Sequence, residues 1–264
     1  MTSRDASRAD IQTGMQMLAD KVKDHLRSLR EQGRPVSAEQ EIRDAFHLRY
    51  YYGGLEGGTW TQTRWMGATV LKTPFDLRTY QELLFGVRPQ LIIETGTAHG
   101  GSALYFAHLC DILGEGRVVT IDIDPAFGGG QRPRHPRITY LTGSSTDPAV
   151  FARATRSGAG SLAGERVMVV LDSDHSAAHV ATELELYALL VSEGSYIVVE
   201  DSNISGHPVP ADGAPGPMEA IVPFLERHPE FGADPACERH LFSFNPRGWL
   251  KRLPAGADRG GGGA

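Results

Sequence analysis

From residue 91 to residue 200 the chain keeps one rhythm. Short apolar runs at 91–94, 117–122, 138–142, 166–172 and 195–200 are separated by stretches with helical spacing at 102–113, near 147–156 and at 175–191. Few folds accept that order. Strands joined by helices build a parallel sheet with helices on both faces. The run RVMVVLD is strongly β-branched, as expected of a strand. Ligands of such sheets sit beyond the carboxyl ends of the strands. The candidate residues are therefore those that stop the apolar runs: Glu94, Asp122, Gly143–Ser145, Asp172–His175 and Glu200–Asn203.

The first run continues as LIIETGTAHGGS. An acid, Glu94, ends it, and Gly96, Gly100 and Gly101 precede a helix starting near Ser102. Glycines allow close backbone approach, and a helix start presents free N–H groups to a ligand. The spacing E-x-G-x-x-x-G-G-S is not the dinucleotide fingerprint G-x-G-x-x-G, and a tight strand–helix turn without a ligand is the plain alternative. The second run, VVTIDID, ends in Asp122. An acid there, some twenty or more residues past the glycine turn, holds ribose hydroxyls in Rossmann-like sheets. Together, the turn and the acid resemble the class I S-adenosylmethionine-dependent methyltransferases. That resemblance implies that Glu94 and Gly96 face the methionine and ribose side and that Asp122 binds the ribose. Thr97, Ser102, Ser145 and Asp172 complete the expected cofactor set, with Asp124 either sharing the work or solvated in its turn.

The fourth and fifth runs end in clustered acids, Asp172-Ser173-Asp174-His175 and Glu200-Asp201-Ser202-Asn203. Parallel neighbours bring such ends together, and several carboxylates in one place repel unless protonated or neutralised by a cation. Hard oxygen donors suit Mg²⁺. The alternative is helix and turn capping by Asp174, Asp201 or Ser202, which accounts for one acid per strand end but not for two adjacent ones. His175 and His207 are candidate general bases near neutral pH, or else surface histidines. His99, in the glycine turn, is placed at the cofactor or a lid.

Outside the alternating core, residues 1–32 show an amphipathic stripe of Ile11, Met15, Leu18, Val22, Leu26 and Leu29, with a stop at Gly33 and Pro35. The stripe is expected to pack on the chain's own domain or on another subunit, and a homo-oligomer is the favoured outcome. A second helix ends at Gly53-Gly54, the aromatic-rich 59–74 forms a lid or packing, and a helix covers 75–87. After residue 203 come a Gly/Pro-rich loop, a helix within 215–228 and a closing hairpin or edge strands in HLFSFNPRGWLKR. The expected division is a helical extension and lid over 1–88, a Rossmann-like domain over 89–255 and a disordered tail over 256–264. The net charge of −6 gives no basic field for nucleic acid or an anionic membrane. No apolar run reaches membrane-spanning length, and Cys110 and Cys237 form neither a disulfide framework nor a metal pair. These features suggest a cytoplasmic protein acting on a small molecule.

The motifs WMG, KTPFDLRTYQELL, ETGTAHGGS, IDID, LDSDHS, LELYALLV, GSYIVVEDSN and GPMEAI, spread from about Gly53 to Trp249, resemble the cephalosporin hydroxylase and rhamnosyl O-methyltransferase family. The resemblance implies a Mg²⁺-dependent O-methyltransferase acting on a sugar hydroxyl of a nucleotide sugar or glycosylated secondary metabolite. It also implies a metal triad of Asp174, Glu200 and Asp201, with Asp172 towards the cofactor. Neighbouring families place a basic His shortly after the second acid, where this chain has Asn203. The base is therefore among His175, His207 and a metal-bound carboxylate such as Asp174. The other functions considered are a cephalosporin 7α-hydroxylation and methoxylation component, and a non-catalytic partner subunit.

Overall fold

The computed structural model describes residues 16–255 except 17–18, 21, 25, 32, 34–35, 54–57, 130, 157–161, 163 and 211–212. Its centre is a seven-stranded sheet. In chain order the elements that build it are β3 (Leu91–Thr95), β4 (Arg117–Asp122), β5 (Ile138–Thr142), β6 (Val167–Leu171), β7 (Tyr196–Val199), β8 (Phe231–Ala233) and β9 (Trp249–Arg252). They lie in the order β5-β4-β3-β6-β7-β9-β8. The pairs among β3 to β7 are parallel, and β9 runs antiparallel between β7 and β8. The expected parallel sheet is present. The closing segment differs from expectation: only Trp249–Arg252 is strand, and its partner is the short 231–233 run, too brief to stand out in sequence.

Successive residues of the central strands are buried on alternate faces of the sheet. Leu91, Ile93, Val119, Val169 and Ile197 face one core with Val180, Leu184 and Phe224 of the helices α5 (Ala177–Tyr187) and α6 (Pro217–Arg227). Ile92, Val118, Met168 and Val198 face the other, with Leu84 and Phe106 of α2 (Pro74–Val87) and α3 (Gly101–Leu113). Central strands covered on both sides carry apolar residues at every position, which is why their sequences show no alternation. A remaining helix, α4 (Pro148–Arg156), lies beside β5.

Before the sheet come α1 (Ala38–Tyr52) and a two-stranded hairpin, β1 (Arg64–Trp65) and β2 (Ala68–Thr69). Thr73 caps α2, its hydroxyl accepting from Asp76 N at 3.0 Å. The described residues within 16–31 are helical, and Leu29 is buried on the chain itself. Ile11, Met15 and Leu18 lie outside the described residues, as does the expected tail. Among the described residues, no helix is long and apolar enough to cross a membrane.

The chain reverses direction across the sheet between β3 and β6. Asp172 N donates to Thr95 O at 3.0 Å, and Glu200 N donates to Leu171 O at 2.9 Å. The ladder thus continues past the last strand residues and sets Glu94, Asp172 and Glu200 on adjoining strand ends. This is the topological switch point, where ligands of such sheets bind.

Candidate active site

The site has two edges. At the first, Glu94 is fully buried, and its Oε2 accepts from Thr120 Oγ1 at 2.6 Å. Its Oε1 is buried and has no partner. Desolvation pushes this carboxyl up to about 7, opposed by Lys72 and by the Ser102 and Thr120 hydroxyls. Ser102 is buried in the first turn of α3. Gly96 has φ +83°, and a Cβ there would lie 1.6 Å from Asp172 O. The glycine is therefore demanded by the neighbouring strand end rather than by a ligand alone. Thr97 is also turned inward, its hydroxyl 2.7 Å from that of Thr120.

Asp122 ends β4 as expected. Its Oδ1 accepts from Asp124 N at 2.9 Å, and its Oδ2 accepts from Ala98 N at 2.8 Å and from Arg132 at 3.0 Å. Arg132 also donates to Ala98 O and Asp124 O. This clamp fixes the glycine turn at Ala98, a non-glycine residue at φ +44°. Asp124 is exposed and its Oδ1 accepts from Ala126 N; its role in the structure is to shape the turn. Ser145 is buried beside His179, Oγ to Nε2 3.1 Å, and its carbonyl accepts from Tyr187.

The second edge holds the charges. Ligand-competent atoms of Asp172, His175 and Asp201 all lie within 4.8 Å of one another. His175 Nε2 is 3.3 Å from Asp201 Oδ2 and 3.9 Å from Asp172 Oδ1. Asp201 sits at φ +54°, a strained conformation for a non-glycine residue. Its N–H donates to Asn245 Oδ1 at 3.0 Å, which braces it there. Desolvation pushes the Asp201 carboxyl up to about 6, with His175 opposing and Asp172 and Glu200 adding to the rise. Three separate acids or bases converging at one strand edge form a donor set fit for a hard divalent cation.

Two members of the expected metal triad have other partners in this structure. Asp174 is exposed, and its Oδ1 accepts from Ser176 N at 2.8 Å. That backbone hydrogen bond holds its carboxyl below the usual range. The bond closes a turn just before α5, whose N-cap is Ser176. Glu200 is buried and held by Lys72 at 2.9 Å and by the Tyr80 hydroxyl. Burial pushes its carboxyl up, against Lys72. Without an ion, the ligand-competent atoms that come closest together are those of Asp172, His175 and Asp201, while Asp174 and Glu200 are engaged by Ser176 N and by Lys72 and Tyr80. Asp172 Oδ2 accepts from Lys72 at 2.8 Å.

Of the two candidate histidines, the structure brings only His175 into the acid group. His207 pairs with Glu219 at 2.7 Å and lines a separate cavity of about 710 Å³ with Arg43, Asp44 and Arg247. His99 meets Phe127 edge-on, centroids 5.1 Å apart. Lys72, Tyr80, Arg132 and Asn245 were missed. Lys72 lay in a stretch assigned to a lid, and nothing local marks a lysine that will be buried.

The order β5-β4-β3-β6-β7-β9-β8, with an acid at each of the ends of β3 and β4, defines the class: a class I methyltransferase fold. The chain belongs to the rhamnosyl O-methyltransferase/CmcI family, whose model matches residues 57–253, and it is an O-methyltransferase. It is 38% identical over 217 residues to the rhamnosyl O-methyltransferase of Mycobacterium tuberculosis (strain ATCC 25618 / H37Rv), covering 80% of this chain and 85% of the relative. It is also 38% identical over 223 residues to that of Mycobacterium leprae (strain TN), covering 80% and 90%. A solved CmcI structure described as carrying Mg and SAM superposes with a TM-score of 0.59 at 23% identity, over 76% of this chain and 81% of that one.

Proposed function

We propose that this chain transfers a methyl group from S-adenosylmethionine to a hydroxyl of a sugar, borne by a nucleotide sugar or a glycosylated natural product, with Mg²⁺ at the acid group. The observation that carries the reading is the juxtaposition at one sheet edge. The buried, unpartnered Glu94 Oε1 stands on the strand next to the group of Asp172, His175 and Asp201.

The residues present suit both bound groups. Glu94 Oε1 is an acceptor waiting for an N–H donor, and an orphaned buried carboxylate oxygen is costly to leave so. The methionine ammonium meets that need. Asp122 keeps one lone pair, on Oδ1, for a ribose hydroxyl after its bonds to Asp124, Ala98 and Arg132. Ile123, which follows it, is 75% exposed and offers an apolar face for a flat base. The carboxylates of Asp172 and Asp201 would hold Mg²⁺, leaving the Nε2 of His175 beside them free to act as a base. When bound, S-adenosylmethionine supplies an electrophilic methyl group and Mg²⁺ a positive field at the acceptor oxygen.

The chain's own residues do the rest. His175 Nε2 accepts the proton that leaves the sugar hydroxyl, and Asp201 Oδ2 at 3.3 Å stabilises the imidazolium that results. The methyl passes to the oxygen, a thioether is left, and the proton ends on His175. Aromatic rings stand beside this edge. Tyr51 stacks on Trp60 with centroids 5.7 Å apart, and Trp60 meets Phe244, whose carbonyl accepts from Asn203 N. Ring faces of this kind suit the C–H face of a sugar. The mycobacterial relatives, named for rhamnosyl methylation, support the same acceptor class.

The test is a mass-resolved methylation screen of nucleotide sugars and rhamnosylated products, run with Mg²⁺ and with EDTA. A gain of one methyl on a sugar, lost in EDTA, is expected. Turnover unchanged in EDTA removes the metal, and methylation confined to acceptors without sugars removes the acceptor class.

A further inference from the structure

Glu183 is an acid that nothing above uses. It is fully buried on α5. Its Oε1 accepts from Ser173 Oγ at 2.8 Å, and its Oε2 is buried with no partner among the described residues. A buried carboxylate with an orphaned oxygen is costly. Apolar side chains of similar volume would fill a purely structural role at least as well. The acid therefore calls for a reason.

His179 supplies one. It stands one turn before Glu183 on the same face of α5, with Nε2 3.5 Å from Glu183 Oε1. Glu183 holds the pKa of this imidazole above its ordinary value, against the pull of burial. The same Nε2 is 3.1 Å from Ser145 Oγ. A lone pair on Nε2 would face two oxygens, one of them on a carboxylate, and be repelled. A hydrogen there is attracted to both. The imidazole thus carries a hydrogen on Nε2, whether neutral or protonated, and donates it to Ser145 Oγ. The hydroxyl hydrogen of Ser145 is then not taken by His179 and can be donated to a ligand.

The strand order says which part of the ligand. Glu94 ends β3, Asp122 ends β4, and β5 is next in line. Gly143 N donates to Asp122 O at 2.9 Å, so residues 143–145 leave the sheet beside the ribose acid. A cofactor with its ammonium at Glu94 and its ribose at Asp122 carries its base towards Ser145. N1 of adenine accepts a hydrogen bond, whereas N1 of hypoxanthine carries a hydrogen. Against hypoxanthine, the Ser145 hydrogen would be left without an acceptor, which is costly in a buried site.

We infer that His179 and Glu183 are positioning residues: Glu183 fixes the tautomer of His179, His179 presents the Ser145 hydroxyl as a donor, and the cofactor site thereby selects adenine over hypoxanthine. This rests on the S-adenosylmethionine reading of the site, with Ser145 among its cofactor residues. Neither His179 nor Glu183 touches the reacting atoms; both act through Ser145.

The experiment is calorimetric titration of S-adenosylhomocysteine and of its hypoxanthine analogue into wild type, Glu183→Gln and Ser145→Ala, with the ring nitrogens of His179 read by ¹⁵N NMR in the wild type. In wild type, Nε2 should carry a hydrogen, and the adenine compound should bind about tenfold tighter or more. Glu183→Gln keeps the volume and removes the charge, and should lose most of that preference. Ser145→Ala should lose it too. The preference is a ratio within one protein, so a general loosening of the cofactor site does not move it. A wild-type His179 with its hydrogen on Nδ1 alone overturns the inference. So does an absent preference in wild type, or one unchanged in either variant, and binding of S-adenosylhomocysteine in those cases leaves the cofactor reading standing. Failure of folded wild type to bind either compound overturns both. If Glu183→Gln does not fold, the wild-type tautomer and Ser145→Ala decide.

Discussion

The two edges of the site are built by opposite means. At the cofactor edge, polar groups are held by neighbours close in sequence. Asp122 and Ala98 are 24 residues apart, Glu94 and Thr120 are 26 apart, and Asp122 and Arg132 are 10 apart. Backbone N–H groups and hydroxyls do most of the work. At the acid edge, the acids are held by groups from distant segments. Lys72 and Asp172 are 100 residues apart, Tyr80 and Glu200 are 120 apart, and Asp201 and Asn245 are 44 apart. A turn with the right residues folds into the first kind of edge almost by itself. The second kind exists only once the whole sheet is assembled.

If the division is real, substitutions on the two edges separate turnover from cofactor affinity. His175→Ala should lower kcat by roughly 10²–10⁴-fold, the usual contribution of a positioned general base, while S-adenosylmethionine binding stays near wild type. Steady-state kinetics with a binding isotherm checks both halves, and a variant that loses cofactor affinity instead would erase the boundary between the edges.

Beneath the acid edge, Asp76 adds a pH signature. It accepts from Ser243 and from Phe244 N, tying α2 to the segment before β9. Burial, with Glu200 nearby, pushes its carboxyl up to about 7 from an ordinary 3.8. A folded-state pKa above the unfolded one means that the native protein holds the proton more tightly. The associated stability is fully present below about pH 4 and is lost as pH rises through about 7, of the order of 4 kcal/mol in all. Denaturant midpoints of wild type should fall over that window, and those of Asp76→Asn should fall much less.

On the cofactor edge, Asp122→Ala should weaken S-adenosylmethionine binding by about 1.5–3 kcal/mol, the range for hydrogen bonds to a charged group, and leave the Mg²⁺ isotherm unchanged. The smallest effect belongs to Asp174→Ala. Loss of its one exposed turn hydrogen bond costs about 0.5–1.5 kcal/mol of stability, visible as a lower melting temperature, with kcat close to wild type.

The same contrast explains what could be read in the chain. The five parallel strands, the helices between them and the strand-end acids Glu94 and Asp122 follow from local pattern, because periodicity and turn chemistry act over a few residues. The choice between Asp172 and Asp174 does not. Both stand two residues apart after one strand, and which one faces the site depends on Lys72 reaching Asp172 and on Ser176 N claiming Asp174. The partners of Glu200, Lys72 and Tyr80, arrive from segments far away in sequence and so could not be read from it. The short strand 231–233 was missed because three residues carry no period.

The account turns on where the divalent cation is held. Titration of Mg²⁺ into Asp172→Asn and Asp174→Asn, side by side with wild type, decides it. Loss of the isotherm in Asp172→Asn and a wild-type isotherm in Asp174→Asn is the predicted result. Binding kept in Asp172→Asn and lost in Asp174→Asn would contradict the account and return the metal to the triad of Asp174, Glu200 and Asp201.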